Sequence, residues 1–314
     1  MRAIRLHGRG GPEKLVCEDS PAPTLEAGDA LIRVHACSIT RAELTWPPVH
    51  TAPDGSIRPF IIPGHEVSGV VEAVAPGVTD LKVGDEVYAL VDFDRVGGAA
   101  EYVAVRAAET APKPSSLSHV EAAAVPLAGL TAWQALFAHA GLSKGQSVLI
   151  HGAAGGVGTY AVQFARLAGA SVIGTAQAKD EGLLRELGAD EVIDYTATRF
   201  EDEVADVDVV FDAVGGDTLE RSWRVLRPGG VLVTIASSEE ANPPDKRAAE
   251  FGVRGLFFIV RPDRGQLIEI ARLIDGGEVR PVIGSVFSLS RAREAFGEGL
   301  GGGRPGKVVL RVVE

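Results

Sequence analysis

Residues 147–158, Ser147-Val-Leu-Ile-His-Gly-Ala-Ala-Gly-Gly-Val-Gly158, carry the clearest chemistry in the chain. An apolar run, Val148 to Ile150, breaks at a cluster of glycines and passes straight into a helical pattern over 157–167. Strand, tight turn and helix in that order aim backbone N–H groups at a pyrophosphate. In the frame of the dinucleotide fingerprint G-x-G-x-x-G, the three positions are Ala153, Gly155 and Gly158. A glycine at the second lets backbone approach phosphate, and one at the third lets the helix pack closely on the strand. Gly152, Ala153, Ala154, Gly155, Gly156, Val157 and Gly158 are therefore the candidate phosphate cradle. A purely structural turn would use the same glycines, but the strand and helix on either side favour nucleotide binding.

The next strand bears on which dinucleotide. A ribose 2′-hydroxyl is normally read by an acidic residue about twenty residues past the turn. Here that stretch is Ile173-Gly-Thr-Ala-Gln-Ala-Lys179, with Thr175 near a neutral strand end and a lysine after it. Asp180 and Glu181 come later, in the expected first turn of a helix, where acids suit the dipole. The arrangement tolerates a 2′-phosphate and predicts NADP(H). Asp212-Ala-Val-Gly-Gly216 and Ile235-Ala-Ser237 end two further strands, so Ala213, Val214, Ile235, Ala236 and Ser237 are expected to line the same crevice.

The elements that position these residues fall into two patterns. Residues 3–7, 30–35, 66–75, 86–90 and 100–105 read as short strands separated by glycine and proline turns. From about residue 118, helices and strands alternate: helical 119–142, strand 147–151, helix 157–167, strand 171–176, helix 180–187 and strand 191–194. Strand 208–214, helix 218–225, and strands 230–236 and 255–260 follow. This alternation predicts a parallel sheet covered on both faces. A helix over 264–275 precedes β-rich segments at 282–287 and 307–313, which lack a core of their own and should return to the first domain.

At 314 residues, 46% hydrophobic and 23% charged, the chain has room for two soluble domains. A net charge of −11 argues against a nucleic-acid surface. The start, Met1-Arg-Ala-Ile-Arg-Leu-His-Gly8, lacks a secretory pattern, and the apolar stretch at 122–142 is interrupted by Pro126, Gly129, Gln134 and His139. No membrane partner is expected. Cys17 and Cys37 alone make no disulfide framework, so a reduced cytoplasmic setting is expected, as is a homodimer.

The order of parts resembles the medium-chain dehydrogenase/reductase superfamily and, within it, the zinc-free quinone oxidoreductases related to zeta-crystallin. The resemblance spans nearly the whole chain, through Gly11-Pro-Glu-Lys-Leu15, Gly64-His-Glu-Val-Ser-Gly-Val-Val71, Val83-Gly-Asp-Glu-Val87 and Ala122-Ala-Ala-Val-Pro-Leu-Ala-Gly-Leu-Thr-Ala-Trp133. It continues through the glycine turn, Leu187-Gly-Ala-Asp190, Asp212-Ala-Val-Gly-Gly216 and Gly306-Lys-Val-Val-Leu310. It implies an α/β architecture. A GroES-like irregular β-barrel catalytic domain over 1–120, completed by 262–314, would join a Rossmann NADP-binding domain over 121–261 with a doubly wound parallel sheet. The active site would lie in the cleft between them. By the same resemblance Lys179 and Tyr195 meet the 2′-phosphate, Thr131 the nicotinamide end, Phe257, Phe258 and Ile259 the carboxamide, and Lys307 the cofactor's surroundings. Each also has a plain reading: helix-start or surface lysine, packing tyrosine or threonine, core aromatic.

Gly64-His-Glu66 followed by Gly69 matches much of the zinc alcohol dehydrogenase signature. A catalytic zinc needs three protein ligands around an open position. His65 is one candidate, but the first cysteine ligand of the zinc enzymes falls at Thr40, and no cysteine follows Cys37. No metal is expected. Without a Lewis acid, alcohol oxidation is hard to support, whereas an electrophilic conjugated carbonyl needs only hydride and donors for its oxygen. Thr40, near the place of the family's asparagine, is the candidate positioning group, and Trp46, Phe60 and Phe93 are candidate walls for a flat substrate. The expected activity is NADPH-dependent reduction of a quinone or conjugated carbonyl. The alternatives are an NADPH-binding sensor or structural protein with little catalysis, and a zinc-dependent alcohol dehydrogenase.

Lys179 decides the cofactor in this reading. A charge-assisted hydrogen bond contributes about 1.5–3 kcal/mol, or about ten- to a hundredfold in affinity. Lys179→Ala should weaken NADPH by that factor, less where solvent screens it, and leave NADH little changed. Parallel titrations with both cofactors check this; equal losses would assign Lys179 to the fold.

Overall fold

A computed structural model describes residues 1–40, 42–52, 54–58, 60–236, 244–300 and 304–313. In chain order the strands are β1 (Arg2–Leu6), β2 (Leu15–Asp19), β3 (Asp29–Ile39), β4 (Glu66–Val74), β5 (Glu86–Leu90), β6 (Tyr102–Arg106), β7 (Ala111–Pro112) and β8 (Ser147–His151). They continue with β9 (Ser171–Ala176), β10 (Glu191–Asp194), β11 (Val207–Asp212), β12 (Leu226–Thr234), β13 (Arg254–Phe257), β14 (Ile283–Ser288) and β15 (Lys307–Arg311). Two compact units result: Met1–Leu130 with Arg261–Gly277 and Pro281–Glu314, and Thr131–Val260 with Glu278–Arg280.

The first unit is built on a largely antiparallel sheet. Its main sheet runs β14-β15-β3-β4-β5-β7, with β6 also paired to β3. β3 is the spine. Along its first half Ala30, Ile32 and Val34 are buried while Leu31, Arg33 and His35 are partly exposed, the alternation of a sheet wet on one face. From Ala36 onward every residue is buried. There β15 pairs along the strand, and Ala36 and Val309 pack beneath Ala123 and Ala124 while Cys37 and Leu310 face the larger core. β4 crosses so close that a Cβ on Gly69 would lie 2.1 Å from the Arg33 carbonyl oxygen, which requires glycine there.

The second unit is a Rossmann-like sheet of six parallel strands in the order β10-β9-β8-β11-β12-β13. Val148, Leu149 and Ile150 in β8 and Val209, Val210 and Phe211 in β11 are buried, as a sheet covered on both faces demands. Strand order reverses between β8 and β11, so the switch-point crevice opens at their carboxyl ends.

Several elements fall at the expected bounds, among them β5, β8, β9, β10 and the helix Arg264–Asp275. The helical stretch expected over 119–142 is divided into Pro126–Trp133, a short turn before it and a π-helical segment Gln134–His139. Pro126 opens the second piece because its missing N–H is spared only in a first turn. Residues 15–19 and 292–300, where no period is evident, form β2 and a helix; β2 is held by its pairing with β1. No helix among the described residues is long and apolar enough to cross a membrane.

Histidines held wholly or partly away from water set an acid limit. In the first unit the rings of His35 and His119 meet at a tilt with centroids 4.3 Å apart; partial burial, then the charge of His35, hold His119 at about 4. In the second unit burial holds His151 at about 4. Both lie below the ordinary imidazole value of about 6.5. Protons therefore bind the unfolded chain first, and stability present above about pH 6.5 is lost as pH falls towards 4. Denaturant midpoints should drop from about pH 7 to about pH 5, and His151→Gln should flatten the slope. A flat profile in the parent protein would contradict the burial of these rings.

Candidate functional site

In the second unit, β8 delivers the chain into the glycine turn at His151. The Ser222 hydroxyl donates to the Thr218 carbonyl (2.6 Å), so it accepts from His151 Nε2 (3.0 Å), leaving Nδ1 to accept from Thr175 (3.1 Å). The ring thus ties β8 to β9. Gly152 follows at φ +71°, a left-handed conformation suited to glycine. The Ala153 N–H donates to the Thr175 carbonyl (3.1 Å), the Gly155 N–H to the Gly152 carbonyl (2.9 Å), and the helix Gly158–Leu167 begins. A Cβ at Gly158 would lie 2.2 Å from the Gly152 oxygen and 2.7 Å from Ala153 Cα. At Gly155 the nearest atom is the Gly152 oxygen at 3.1 Å, with nothing else within 4 Å. Gly158 is thus a packing glycine walled in by backbone, whereas Gly155 is exposed and meets only the Gly152 oxygen.

The turn after β11 is held by Asp212. Its carboxylate accepts from the N–H groups of Val214 (3.0 Å) and Gly215 (3.0 Å) and from the Thr234 hydroxyl (2.8 Å). This fixes Ala213 and Val214; a Cβ on Gly152 would stand 3.3 Å from Val214 Cγ2, so the two turns abut. The Ile235 N–H donates to the Asp212 carbonyl (3.0 Å) and the Ala236 N–H to Thr234 Oγ1 (3.2 Å). Ser237 lies outside the described residues. Lys179 sits in the short turn Ala178–Asp180 after β9. Tyr195, exposed beyond β10, accepts from Gln177 Nε2 (3.1 Å) and opens on a cavity of about 470 Å³ lined by Arg199, Phe200, Asp217 and Arg221. Thr131 and Thr175 are buried, Phe257 is partly exposed, Phe258 packs on the His139 ring (4.4 Å) and Ile259 is exposed.

In the first unit, Thr40 stands at the end of β3 above a buried charged cluster. Lys307 Nζ pairs with Glu66 and donates to the Ile39 carbonyl (3.1 Å) and Thr40 Oγ1 (3.4 Å). Glu66 also accepts from the Leu127 N–H (3.1 Å). Beside it, Glu43 accepts from the Gly64 N–H (2.6 Å), His65 Nδ1 (2.5 Å) and the Thr40 N–H (3.4 Å). Glu43, His65, Glu66 and Lys307 are all at most 5% exposed. Burial, then Glu43 and Glu66, push the Cys37 thiol well above its ordinary range. Phe93 lies against His65 (centroids 5.1 Å), and Trp46 meets Phe93 edge-on (5.5 Å). Thr40, Trp46, Phe93 and Lys307 thus gather around one cluster. Phe60 instead lies under the Arg5 guanidinium (5.1 Å) and lines a cavity of about 580 Å³ with Arg58, Arg95 and Arg106.

Sequence reasoning passed over Glu43, the role of Asp212 and the wiring of His151. An acid three residues past Thr40 and one at a strand end before two glycines were the available signals.

The donors do not fit a zinc ion. His65 offers Nε2, but Thr40 supplies no thiolate, and Cys37 Sγ is turned to the Ser38 carbonyl (3.5 Å) and to Gly64, where a Cβ would lie 2.3 Å away. Among the described residues no three His, Cys, Asp or Glu side chains gather as a ligand set.

Residues 26–115 match the alcohol dehydrogenase GroES-like domain family, and residues 187–310 match the zinc-binding dehydrogenase family. The chain is 34% identical to a rat quinone oxidoreductase over 99% of this chain and 97% of that protein. The solved quinone oxidoreductase of Coxiella burnetii superposes with a TM-score of 0.93 at 30% identity, covering 100% of this chain and 99% of the other. A mycobacterial protein complexed with NADPH gives a TM-score of 0.86 at 28% identity, covering 99% and 100%.

The glycine turn yields a paired prediction. Gly155→Val should leave the fold intact and cut dinucleotide affinity at least about a hundredfold, since the side chain fills the approach to phosphate. Gly158→Val should instead lower the melting temperature by several degrees, because backbone blocks the side chain on two sides. Cofactor titration and thermal denaturation separate the two, and a Gly155→Val protein that binds like its parent would move the phosphate site elsewhere.

Proposed function

The chain belongs to the quinone oxidoreductases of the medium-chain dehydrogenase/reductase superfamily, and we propose that it uses NADPH to reduce quinones or conjugated carbonyls without a metal. The observation that carries this reading is the Thr40 hydroxyl beside the Lys307 ammonium. A proton donor, not a metal ligand, occupies that place.

The second unit supports the cofactor half of the reading. Its helix N-terminus, the exposed Gly155 and the backbone at Ala213, Val214, Ile235 and Ala236 follow the carboxyl ends of the strands at the switch point, where sheets of this kind bind dinucleotides. The neutral end of β9, followed by Lys179 and Tyr195, suits a 2′-phosphate. When bound, the nicotinamide supplies the hydride.

The first unit supports the substrate half. Hydride addition to a conjugated carbonyl or quinone drives negative charge onto its oxygen. Thr40 donates to that oxygen, and the ammonium bonded to Thr40 Oγ1 leaves the hydroxyl proton free to point outward and strengthens it as a donor. Glu66 balances Lys307, so the cluster holds its charge without solvent. Trp46 and Phe93 offer flat apolar surface to a conjugated ring and keep water away.

NADPH consumption against a panel of quinones, enals and enones, with NADH in parallel, tests the reading. Turnover with NADPH supports it; tight NADPH binding with no turnover would favour a sensor. Purified protein should carry no stoichiometric zinc, and chelator should leave the rate unchanged. Near-equimolar zinc, with activity lost on its removal, would favour an alcohol dehydrogenase instead.

A further inference from the structure

His151 ends β8 at the entry to the glycine turn, yet it and Ser222 are 0% exposed and Thr175 is 4% exposed. Side chains so enclosed act on a ligand through the backbone they hold. Their hydrogen bonds have one consistent direction. Ser222 gives its proton to the Thr218 carbonyl (2.6 Å), so its oxygen accepts from His151 Nε2 (3.0 Å). Burial keeps the ring neutral, so Nδ1 has a free lone pair and accepts the Thr175 hydroxyl proton (3.1 Å). Buried networks satisfied in full rigidify the backbone they join.

This chain of bonds meets the glycine turn again on its far side. The Thr175 carbonyl accepts the Ala153 N–H (3.1 Å). A Cβ on Gly174 would lie 2.9 Å from the Ala153 methyl, so β9 makes room there for the first fingerprint position. Thr175 thus grips the chain before and after Gly152, the left-handed residue of the turn: its hydroxyl holds residue 151 and its carbonyl residue 153. At the other end of the ring, Ser222 closes the helix Gly216–Ser222, which follows the turn held by Asp212. His151 therefore joins the glycine turn to both β9 and the helix beyond the second turn.

We propose that Thr175 and His151 are positioning residues for the dinucleotide's pyrophosphate, setting the glycine turn against β9 without touching the cofactor. Thr175, a candidate cofactor contact by its place at the end of β9, has its hydroxyl engaged by His151 and its carbonyl by Ala153. The inference rests on the cofactor site proposed above. Pyrophosphate is common to NADPH, NADH and ADP-ribose, so the pair supports all three alike, whereas Lys179 would favour the 2′-phosphate alone.

The test compares Thr175→Val, which keeps the shape of the side chain and removes its hydroxyl, with Thr175→Ser, which retains the hydroxyl. Thr175→Val should weaken NADPH, NADH and ADP-ribose by a common factor of about tenfold or more. Binding of 2′-AMP, which has no pyrophosphate, should be unchanged, and Thr175→Ser should bind all four like the parent. KM for NADPH should rise in Thr175→Val while kcat at saturating NADPH holds. Unchanged dinucleotide affinity in Thr175→Val, equal losses in the Val and Ser variants, or 2′-AMP falling with the rest would overturn the proposal. Should Thr175→Val fail to fold, Ser222→Ala takes its place, and unchanged dinucleotide affinity there counts against the proposal in the same way. In the parent protein labelled with ¹⁵N-histidine, His151 should carry its hydrogen on Nε2 and none on Nδ1; the opposite tautomer would also overturn it. A parent that binds no dinucleotide overturns the cofactor site and this role with it, whereas a parent and Thr175→Val that bind equally well overturn the positioning role alone.

Discussion

The buried ion pair between Lys307 and Glu66 joins more of this molecule than any other single interaction described above. Glu66 opens β4, Lys307 opens β15, and the ammonium also holds the carbonyl and hydroxyl at the end of β3. The second carboxylate oxygen receives the N–H of Leu127 in the helix Pro126–Trp133. One pair therefore ties together four segments from both ends of the chain. Removing one partner of a buried pair costs about 3–5 kcal/mol, because the other charge is left without water or counter-ion.

That constraint also explains why the site is where it is. A strand that brings a lysine into the core must find its carboxylate there, so β15 is fixed in register against β3 with Leu310 opposite Cys37. Thr40 then sits one residue beyond the end of β3, with its hydroxyl against the ammonium and its N–H against Glu43. A second buried pair, Glu43 with His65, completes a cluster in which each acid faces a basic group. Such an arrangement keeps polar groups oriented in a low-dielectric setting, where donors aimed at a developing oxyanion act most strongly.

The second unit solves a different problem with uncharged parts. Its carboxyl-end crevice is shaped by glycines whose absent side chains make room and by Asp212, which holds a turn through two backbone N–H groups. His151 is kept neutral by burial and joins the ends of β8 and β9.

Much of this was legible in the residue order. Alternating strands and helices dictated a parallel sheet, because apolar strands of that length must be covered on both faces. The spacing of Ala153, Gly155 and Gly158 after an apolar strand marked the turn, since local steric demands at a few positions suffice to define it. Local signals could not reveal contacts made across long stretches of chain. A surface charge was one reading of Lys307, and the pairing of β15 with β3 corrects it by burying the residue beside Glu66. Glu43 carried no assigned role and His65 was weighed only as a zinc ligand; their pairing, across 22 positions, came into view only when the fold brought them to 2.5 Å. Phe60 resembled Trp46 and Phe93 in type but faces Arg5 elsewhere on the unit. Periodicity and turn chemistry act over a few residues, so the sequence by itself determined the elements and the glycine turn. Which charges lost their water, and which partners they then required, was decided only when the tertiary structure closed around them.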